Sequence, residues 1–396
     1  MPFVQRFTVS YEYPVWFGED VFSPENAALV EAVSRREPSR RHRLAFVVEE
    51  RVAECFPTLA RDIARYVEHH GARLALAAPP RVVRGAEECK NDEAAVSALA
   101  AWFDALCLDR QSFVVIVGGG ALQDMAGYAA AITHRGLRVV RLPTTVLGQN
   151  DSGVGVKNGV NAFGKKNFFG AFAPPFAVLC DSRFLRTLHP RDKVAGFAEA
   201  VKVALIKDAP FFEWMEARAT ELARFEPEAV AELVRRCAER HLEHIATAGD
   251  PFELGSSRPL DFGHWAAHKL EALTAFELRH GEAVAIGIAL DTSYSVASGM
   301  LSAPEGERVL ALLSALGLPR WDARLDARAP GGARLVLDGI REFREHLGGD
   351  LTLMMLAGIG RGREVTSIDV ARVDAVIDAL RERASGRAAA ARPAAE

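Results

Sequence analysis

Cysteine is scarce: Cys55, Cys89, Cys107, Cys180 and Cys237 are five in 396 residues, with no CxxC pair. An odd, scattered set in so long a chain argues against a disulfide framework or a cysteine zinc module, and fits reduced thiols packing as small hydrophobes. Uncharged apolar runs of membrane-spanning length are missing, so no membrane partner is expected. The opening stretch MPFVQRFTVSYEYPVWFGED has no basic region followed by an apolar run. It therefore does not read as a signal peptide, and a cytoplasmic location is expected. There is no surplus of positive charge either: the net charge is −4, and nothing points to nucleic acid. No internal repeat is visible. What remains is an ordinary globular composition, 49% hydrophobic and 25% charged, long enough for two domains and a large core.

Residues 5–17 alternate apolar and polar side chains, the pattern of a strand. RLAFVVEE (43–50) and ARLALAAP (72–79) are short apolar runs, with a helical stretch at 51–70 between them. A second helix is expected over 92–108, capped by Asn91 or Asp92. SFVVIVGGG (112–120) reads as a buried strand running into glycines, followed by a helix to about Thr133 and a strand at 137–145. FAVLCD (176–181) is the last strand of this half. Strands alternating with helices predict a parallel α/β sheet covered on both faces. From about residue 187 the pattern turns helical, over 191–207, 210–224, 226–247, 262–275, 280–299 and 304–316, interrupted by one β-like run at 350–360. The fold class is thus α/β plus α. The expected domains are 1–186 and 187–382, with the Ala/Arg-rich tail 383–396 disordered.

Three regions carry chemistry. Gly118, Gly119 and Gly120 follow the buried strand and open a helix, where backbone N–H groups and the helix dipole favour a phosphate; a structural turn is the alternative. The spacing is GGGxxxDxxG rather than GxGxxG. Asp124 is placed to cap the turn or to bond a cofactor. Glu49, ending an early strand, is placed to hold a ribose hydroxyl. The second region, 151–172, gathers Lys157, Lys165, Lys166, Asn158, Asn161 and Asn167 among glycines and apolar residues. Lysines and amides on such a backbone suit an anionic, hydroxyl-rich ligand such as a sugar phosphate, and Arg135 is a further anion candidate. The third is AGFAEAVK, with Glu199 and Lys202 on one helix face, together with DFGHWAAHKLE and LRHGEAVAIG. Two imidazoles and a carboxylate make an open catalytic metal site. His264 and His268 lie at i, i+4, and His280 comes 16 residues after His264. Spacing alone does not decide which two histidines bind, although the i, i+4 pair is the simple choice.

Taken together, EECKN (87–91), GGGALQDMAG (118–127), RLPTTVLGQNDSGVGVKNGVN (141–161), GKKNFFGAF (164–172), AGFAEAVK (195–202), DFGHWAAHKLE (261–271) and LRHGEAVAIG (278–287) resemble the dehydroquinate-synthase-like sugar phosphate cyclases. The likeness covers roughly 85–290 and continues more weakly to about 360. It implies an N-terminal Rossmann-like NAD-binding domain and a C-terminal all-helical metal-binding domain. It also implies bound NAD, one Zn²⁺ (or Co²⁺) and a homodimer. By motif position, Glu199, His264 and His280 become the metal ligands, and His268 moves to a role near the substrate phosphate. Lys157, Asn167 and Arg135 match phosphate-binding positions, and Arg135 is a candidate to reach a neighbouring subunit. Lys202 and Lys166 match substrate-contacting or catalytic lysines, and Asp151 matches an Asp that approaches nicotinamide and substrate. Glu49, Glu87, Lys90, Gly119, Gly120, Asp124, Thr144 and Thr145 match cofactor-binding positions. The implied reaction is transient oxidation of a ring hydroxyl by NAD, loss of phosphate, return of the hydride, ring opening and an intramolecular aldol closure. NAD is thereby recycled.

The sequence departs from dehydroquinate synthases where those enzymes hold a substrate carboxylate. Glu243 and Ser257 occupy the expected Lys and Arg positions, Arg258 is adjacent, and Asp261 replaces an Asn. Negative groups repel a carboxylate but accept hydrogen bonds from hydroxyls. Sedoheptulose 7-phosphate, a neutral hydroxymethyl ketone at that end, is therefore the expected substrate. His268, GDPFE and HKLE resemble the 2-epi-valiolone synthase branch. A lysine-rich phosphate stretch expected near 344–356 is replaced by one holding Arg344 and His346. A dehydroquinate synthase and a metal-dependent polyol dehydrogenase are the competing readings.

Overall fold

The computed structural model describes residues 2–163, 165–248, 250–252, 259–346 and 350–390. The chain divides into two compact units, Met1–Thr187 and Leu188–Glu396.

The first unit is built on strands β1 (Val15–Gly18), β2 (His42–Glu49), β3 (Leu74–Leu76), β4 (Arg81–Val83), β5 (Phe113–Gly118), β6 (Arg138–Pro143) and β9 (Ala177–Asp181). Among the described residues these make one seven-stranded sheet in the order β1-β9-β6-β5-β2-β3, with β4 also on β2. Every pairing in it is parallel. Successive β2 residues serve opposite faces: Leu44, Phe46 and Val48 enter one apolar cluster, Ala45 and Val47 the other. Burial on both faces explains why these strands read as continuous apolar runs. Glu49, Gly118 and Pro143 end three adjacent strands on the same edge, the edge at which ligands bind in open parallel sheets.

The strand expected over 5–17 and the helix expected over 51–70 are both shorter than their patterns suggest. Only Val15–Gly18 of the alternating stretch 5–17 is a strand. Pro14, which has no N–H, precedes it, and residues 2–12 are exposed and lie in no strand. The helix expected over 51–70 is two, Glu50–Cys55 and Leu59–His69, because Pro57 disfavours helix in the residue before it. The stretch 148–170 holds a single wide helical turn at Gly148–Ser152 and most of an antiparallel hairpin of β7 (Lys157–Ala162) and β8 (Lys165–Phe172).

The second unit is helical apart from a hairpin of β10 (Leu353–Gly358) and β11 (Arg361–Val365), where the β-like run was expected. Its central helix, His280–Ala297, is buried nearly all round, with Ala283 to Thr292 inaccessible. Helix His264–Leu273 packs closely on it. Gly263, at φ +80°, has its Cα where a Cβ would meet Ile288 N at 2.7 Å, so only glycine fits. The last helix runs Val370–Ala390, extending past Arg383 where a disordered tail was expected; alanine and arginine are strong helix formers, and residues 391–396 lie outside the described set.

Candidate active site

In the second unit, helices Phe197–Lys207, His264–Leu273 and His280–Ala297 bring Glu199, His264 and His280 together. One ligand atom from each lies within 4.8 Å of the others. His264 Nε2 is 3.8 Å and His280 Nε2 3.5 Å from Glu199 Oε1. The far sides of both rings are anchored. His264 Nδ1 meets the Phe262 carbonyl at 3.2 Å, and His280 Nδ1 meets Glu271 Oε2 at 3.2 Å. A carbonyl and a carboxylate only accept, so each Nδ1 carries the proton. Each Nε2 then faces the Glu199 carboxylate, the side from which an imidazole binds a metal.

The Glu199 carboxylate and the lone pair of His264 Nε2 repel one another, and a cation between them relieves this. Glu199 is 1% exposed, and its Oε2 forms an ion pair with Lys202 Nζ. Burial pushes its carboxyl up, but Lys202 and the imidazoles outweigh this and hold it well below the usual carboxylate range. Burial, and then Lys202, hold the His264 imidazolium pKa well below its ordinary value, so the ring is neutral. An ionised Glu199 and a neutral His264 are in the protonation states a divalent metal requires of its ligands. The donor set therefore fits Zn²⁺ or Co²⁺.

His268 separates from this trio. It is exposed, its ring 5.4 Å from His264 and 6.3 Å from His280 between centroids. The i, i+4 pair is thus not the pair that faces Glu199. Asp261 is half-buried, and its carbonyl accepts the His264 N–H at 3.0 Å. Glu243, on helix Pro227–Thr247, pairs with Arg240 at 2.7 Å. Arg344 is exposed and His346 ends helix Asp338–His346. Ser257 and Arg258 lie outside the described residues.

In the first unit, Glu49 Oε2 accepts the Gly119 N–H at 2.6 Å. A Cβ at Gly118 would meet that oxygen at 2.8 Å, and one at Gly119 would meet Thr145 at 3.1 Å, so the glycines let three strand ends converge. Gly120 opens helix Gly120–Ile132, Thr144 N donates to Gly118 O at 3.0 Å, and Thr145 Oγ1 caps Gly148 N at 3.0 Å. Lys90 is buried, pairs with Asp124 at 2.8 Å and also bonds Asn167 Oδ1. Burial lowers its pKa, yet Asp124 and Glu87 more than compensate, so it stays charged. Asn161 links Glu87 at 3.1 Å to Asn91 at 2.9 Å and accepts the Asn167 N–H at 2.8 Å. Glu87, Lys90, Asp124 and Asn167 are therefore one polar cluster. Lys157 is exposed on β7, Asp151 and Lys166 are half-buried, and Arg135 sits on an exposed turn at φ +64°. The glycine turn places the N-terminus of helix Gly120–Ile132 at the strand ends, and the dipole of that terminus suits a dinucleotide phosphate.

The sequence reading missed Glu271, Asp291 and Arg141. Asp291 Oδ2 accepts the Gly263 N–H at 2.9 Å, and its Oδ1 accepts Trp265 Nε1 at 2.8 Å, fixing both neighbours of His264. A charged residue inside an otherwise apolar stretch was the available signal for Asp291 and Arg141, as was the HKLE carboxylate nine residues before His280 for Glu271.

A parallel nucleotide-type sheet followed by a helical unit holding a carboxylate and two imidazoles defines the two-domain, dehydroquinate-synthase-like class. The 3-dehydroquinate synthase N-terminal family matches residues 81–195 and the C-terminal family 196–331. The chain belongs to the 3-dehydroquinate synthase family. It is 38% identical over 286 residues to a 3-dehydroquinate synthase of Jannaschia sp. (strain CCS1), covering 71% of this chain and 76% of the relative. It is 35% identical over 371 residues to a 2-epi-5-epi-valiolone synthase of Actinoplanes sp., covering 92% and 89%. Among solved structures, a 2-epi-5-epi-valiolone synthase from Streptomyces hygroscopicus with NAD⁺ and Zn²⁺ bound superposes with a TM-score of 0.84 at 29% identity, over 96% of this chain and all of the other.

Proposed function

We propose that this chain is an NAD- and metal-dependent sugar phosphate cyclase, a phosphate-eliminating lyase. Its proposed substrate is sedoheptulose 7-phosphate and its product a C7 cyclitol of the 2-epi-valiolone type. One observation carries the substrate choice: the half-buried Asp261 stands three residues before His264, where a carboxylate-bearing sugar would meet like charge. Glu243, paired with Arg240 rather than offering a cation, supports the same choice. The valiolone synthase relatives, similar over most of the chain, also favour it.

In this reading Glu199, His264 and His280 hold the metal and the glycine cradle with Glu49, Glu87, Lys90, Asp124, Thr144 and Thr145 holds NAD. When bound, the two supply hydride transfer and polarisation of the reacting hydroxyl or carbonyl. The residues of the chain do the rest. Lys157, Asn167 and Arg135 bind the phosphate by charge-assisted hydrogen bonds. Lys202 and Lys166 contact the substrate's oxygens, and Lys202 keeps Glu199 ionised. Asp261 accepts from the hydroxymethyl end, Asp151 lies toward the nicotinamide, and His268 serves the phosphate or its proton. Arg258 and His346 remain substrate-binding candidates. A homodimer and a cytoplasmic location belong to the same proposal; no helix among the described residues is long and apolar enough to cross a membrane.

The test offers purified protein, with NAD and Zn²⁺ or Co²⁺, sedoheptulose 7-phosphate and, separately, the carboxylate-bearing seven-carbon precursor of dehydroquinate. Phosphate release from the first supports the reading; release only from the second overturns it. The second outcome is the dehydroquinate synthase reading, favoured by relatives of that name at 38–40% identity. NADH accumulation on a simple polyol would instead indicate a dehydrogenase. NMR of the cyclitol separates the 2-epi from the 2-epi-5-epi product.

A further inference from the structure

Arg141 is an arginine in the middle of β6, a strand buried on both faces, and it is 1% exposed. A guanidinium so placed must find acceptors for its N–H groups or carry a large desolvation cost. No carboxylate lies within ion-pair distance of it among the described residues. Its bonds go instead to one short segment of the chain. Nη1 donates to the carbonyls of Ser152 at 3.4 Å, Gly153 at 3.2 Å and Gly155 at 2.9 Å. Nη2 donates to the Lys157 carbonyl at 3.0 Å and to Asn158 Oδ1 at 2.6 Å. Asn158 passes the hold on: its Nδ2 donates to the Ala171 and Ala173 carbonyls at 3.4 and 3.2 Å, tying β7 to the end of β8. A Cβ at Gly127 would collide with Asn158 Oδ1, so glycine leaves room for this junction.

Four inward-turned carbonyls between residues 152 and 157 are an unusual shape for a loop, and it is the fork of Arg141 that satisfies them. Lysine, with one compact ammonium, cannot reach them all. Asp151 and Lys157 are the two ends of this segment. We propose that Arg141 is a positioning residue that holds residues 152–158 so that Asp151 and Lys157 are set for a phosphorylated ligand. No carboxylate touches its buried charge, and Asp124 acts on it only from beyond ion-pair distance, so the charge adds to the field at the loop. The inference rests on the reading of Lys157 as a phosphate ligand.

The test compares Arg141→Lys, Arg141→Gln and Lys157→Ala with the full-length parent, using amide hydrogen exchange, inorganic phosphate affinity, NAD affinity and KM against kcat for the sugar phosphate. Both Arg141 variants are expected to exchange faster over 152–158, with the KM and the phosphate dissociation constant raised about 10-fold or more, Gln exceeding Lys, and NAD affinity within about 2-fold. Lys157→Ala is expected to weaken phosphate with unchanged exchange. Unaltered exchange over 152–158 in an Arg141 variant overturns the inference, as does a uniform rise over the whole first unit. Should Arg141→Gln not fold, Arg141→Lys decides by the same readings. If Lys157→Ala leaves phosphate affinity intact, the Lys157 reading fails, and the exchange data still judge Arg141.

Discussion

His264 and His268 stand one helical turn apart, yet their surroundings differ. His264 is buried, neutral and turned to Glu199, whereas His268 is exposed. His264→Ala should abolish metal binding and turnover. His268→Ala should keep the metal and lose activity, and metal analysis of the two purified variants checks this; loss of metal from both would overturn the assignment. Glu271→Gln removes the carboxylate from His280 Nδ1 and should weaken the metal about 10–100-fold, measured by chelator competition. At this scale the sequence spoke unevenly. Residue types and motif order pointed to Glu199, His264 and His280, while spacing alone favoured a histidine pair of which only one member faces Glu199, because helix periodicity says which side chains share a face and nothing about what that face meets. Arg141 sits inside the quoted RLPTT stretch, but all its acceptors except Asn158 Oδ1 are backbone carbonyls, which leave no trace in side-chain identity.

At the scale of elements, helix His264–Leu273 depends on helix His280–Ala297 through Asp291 and Gly263. Gly263→Ala puts a Cβ against Ile288 N at a left-handed φ and should cost on the order of 1–3 kcal/mol or more, read from thermal or denaturant unfolding. Burial pushes Asp291 from 3.8 up to about 7. The folded state thus keeps this proton over a range where the unfolded chain has lost it. Its contribution is fully present below about pH 4 and is lost as pH rises towards 7, by on the order of 4 kcal/mol at most. Asp291→Asn should remove that dependence: the stability difference between parent and variant should move in the variant's favour between about pH 4 and 7. A pH-independent difference would contradict it. Strand and helix were legible wherever burial imposed a strong pattern, as in β2 and β5. The alternation at 5–14 misled because a period of two states only that a strand would have two faces; it does not supply the neighbour that must pair with it.

At the scale of the whole molecule, the change from alternating strands and helices to helices alone was readable, since a parallel sheet and a helical unit bury apolar side chains with different periods. What pattern could not give was the electrostatic state of the second unit's centre. There an ionised Glu199 faces the His264 lone pair and the His280 ring, with Lys202 at its other oxygen, and a divalent cation among the three donors would relieve the repulsion. Metal should therefore act as a folding ligand as well as a catalytic one. At free Zn²⁺ about 100-fold above its dissociation constant, the gain should be about 2.7 kcal/mol. For a unit of roughly this size that means a rise of several degrees in the midpoint of its transition. Scanning calorimetry with Zn²⁺ and with a chelator measures it. His264→Ala should show no such rise, because two donors remain where three were needed. Glu199→Gln should lose the metal response as well, yet be more stable than the metal-free parent, since the amide ends the repulsion that the carboxylate creates. An apo Glu199→Gln protein less stable than the apo parent would show that the ion pair with Lys202, rather than the repulsion, governs this centre.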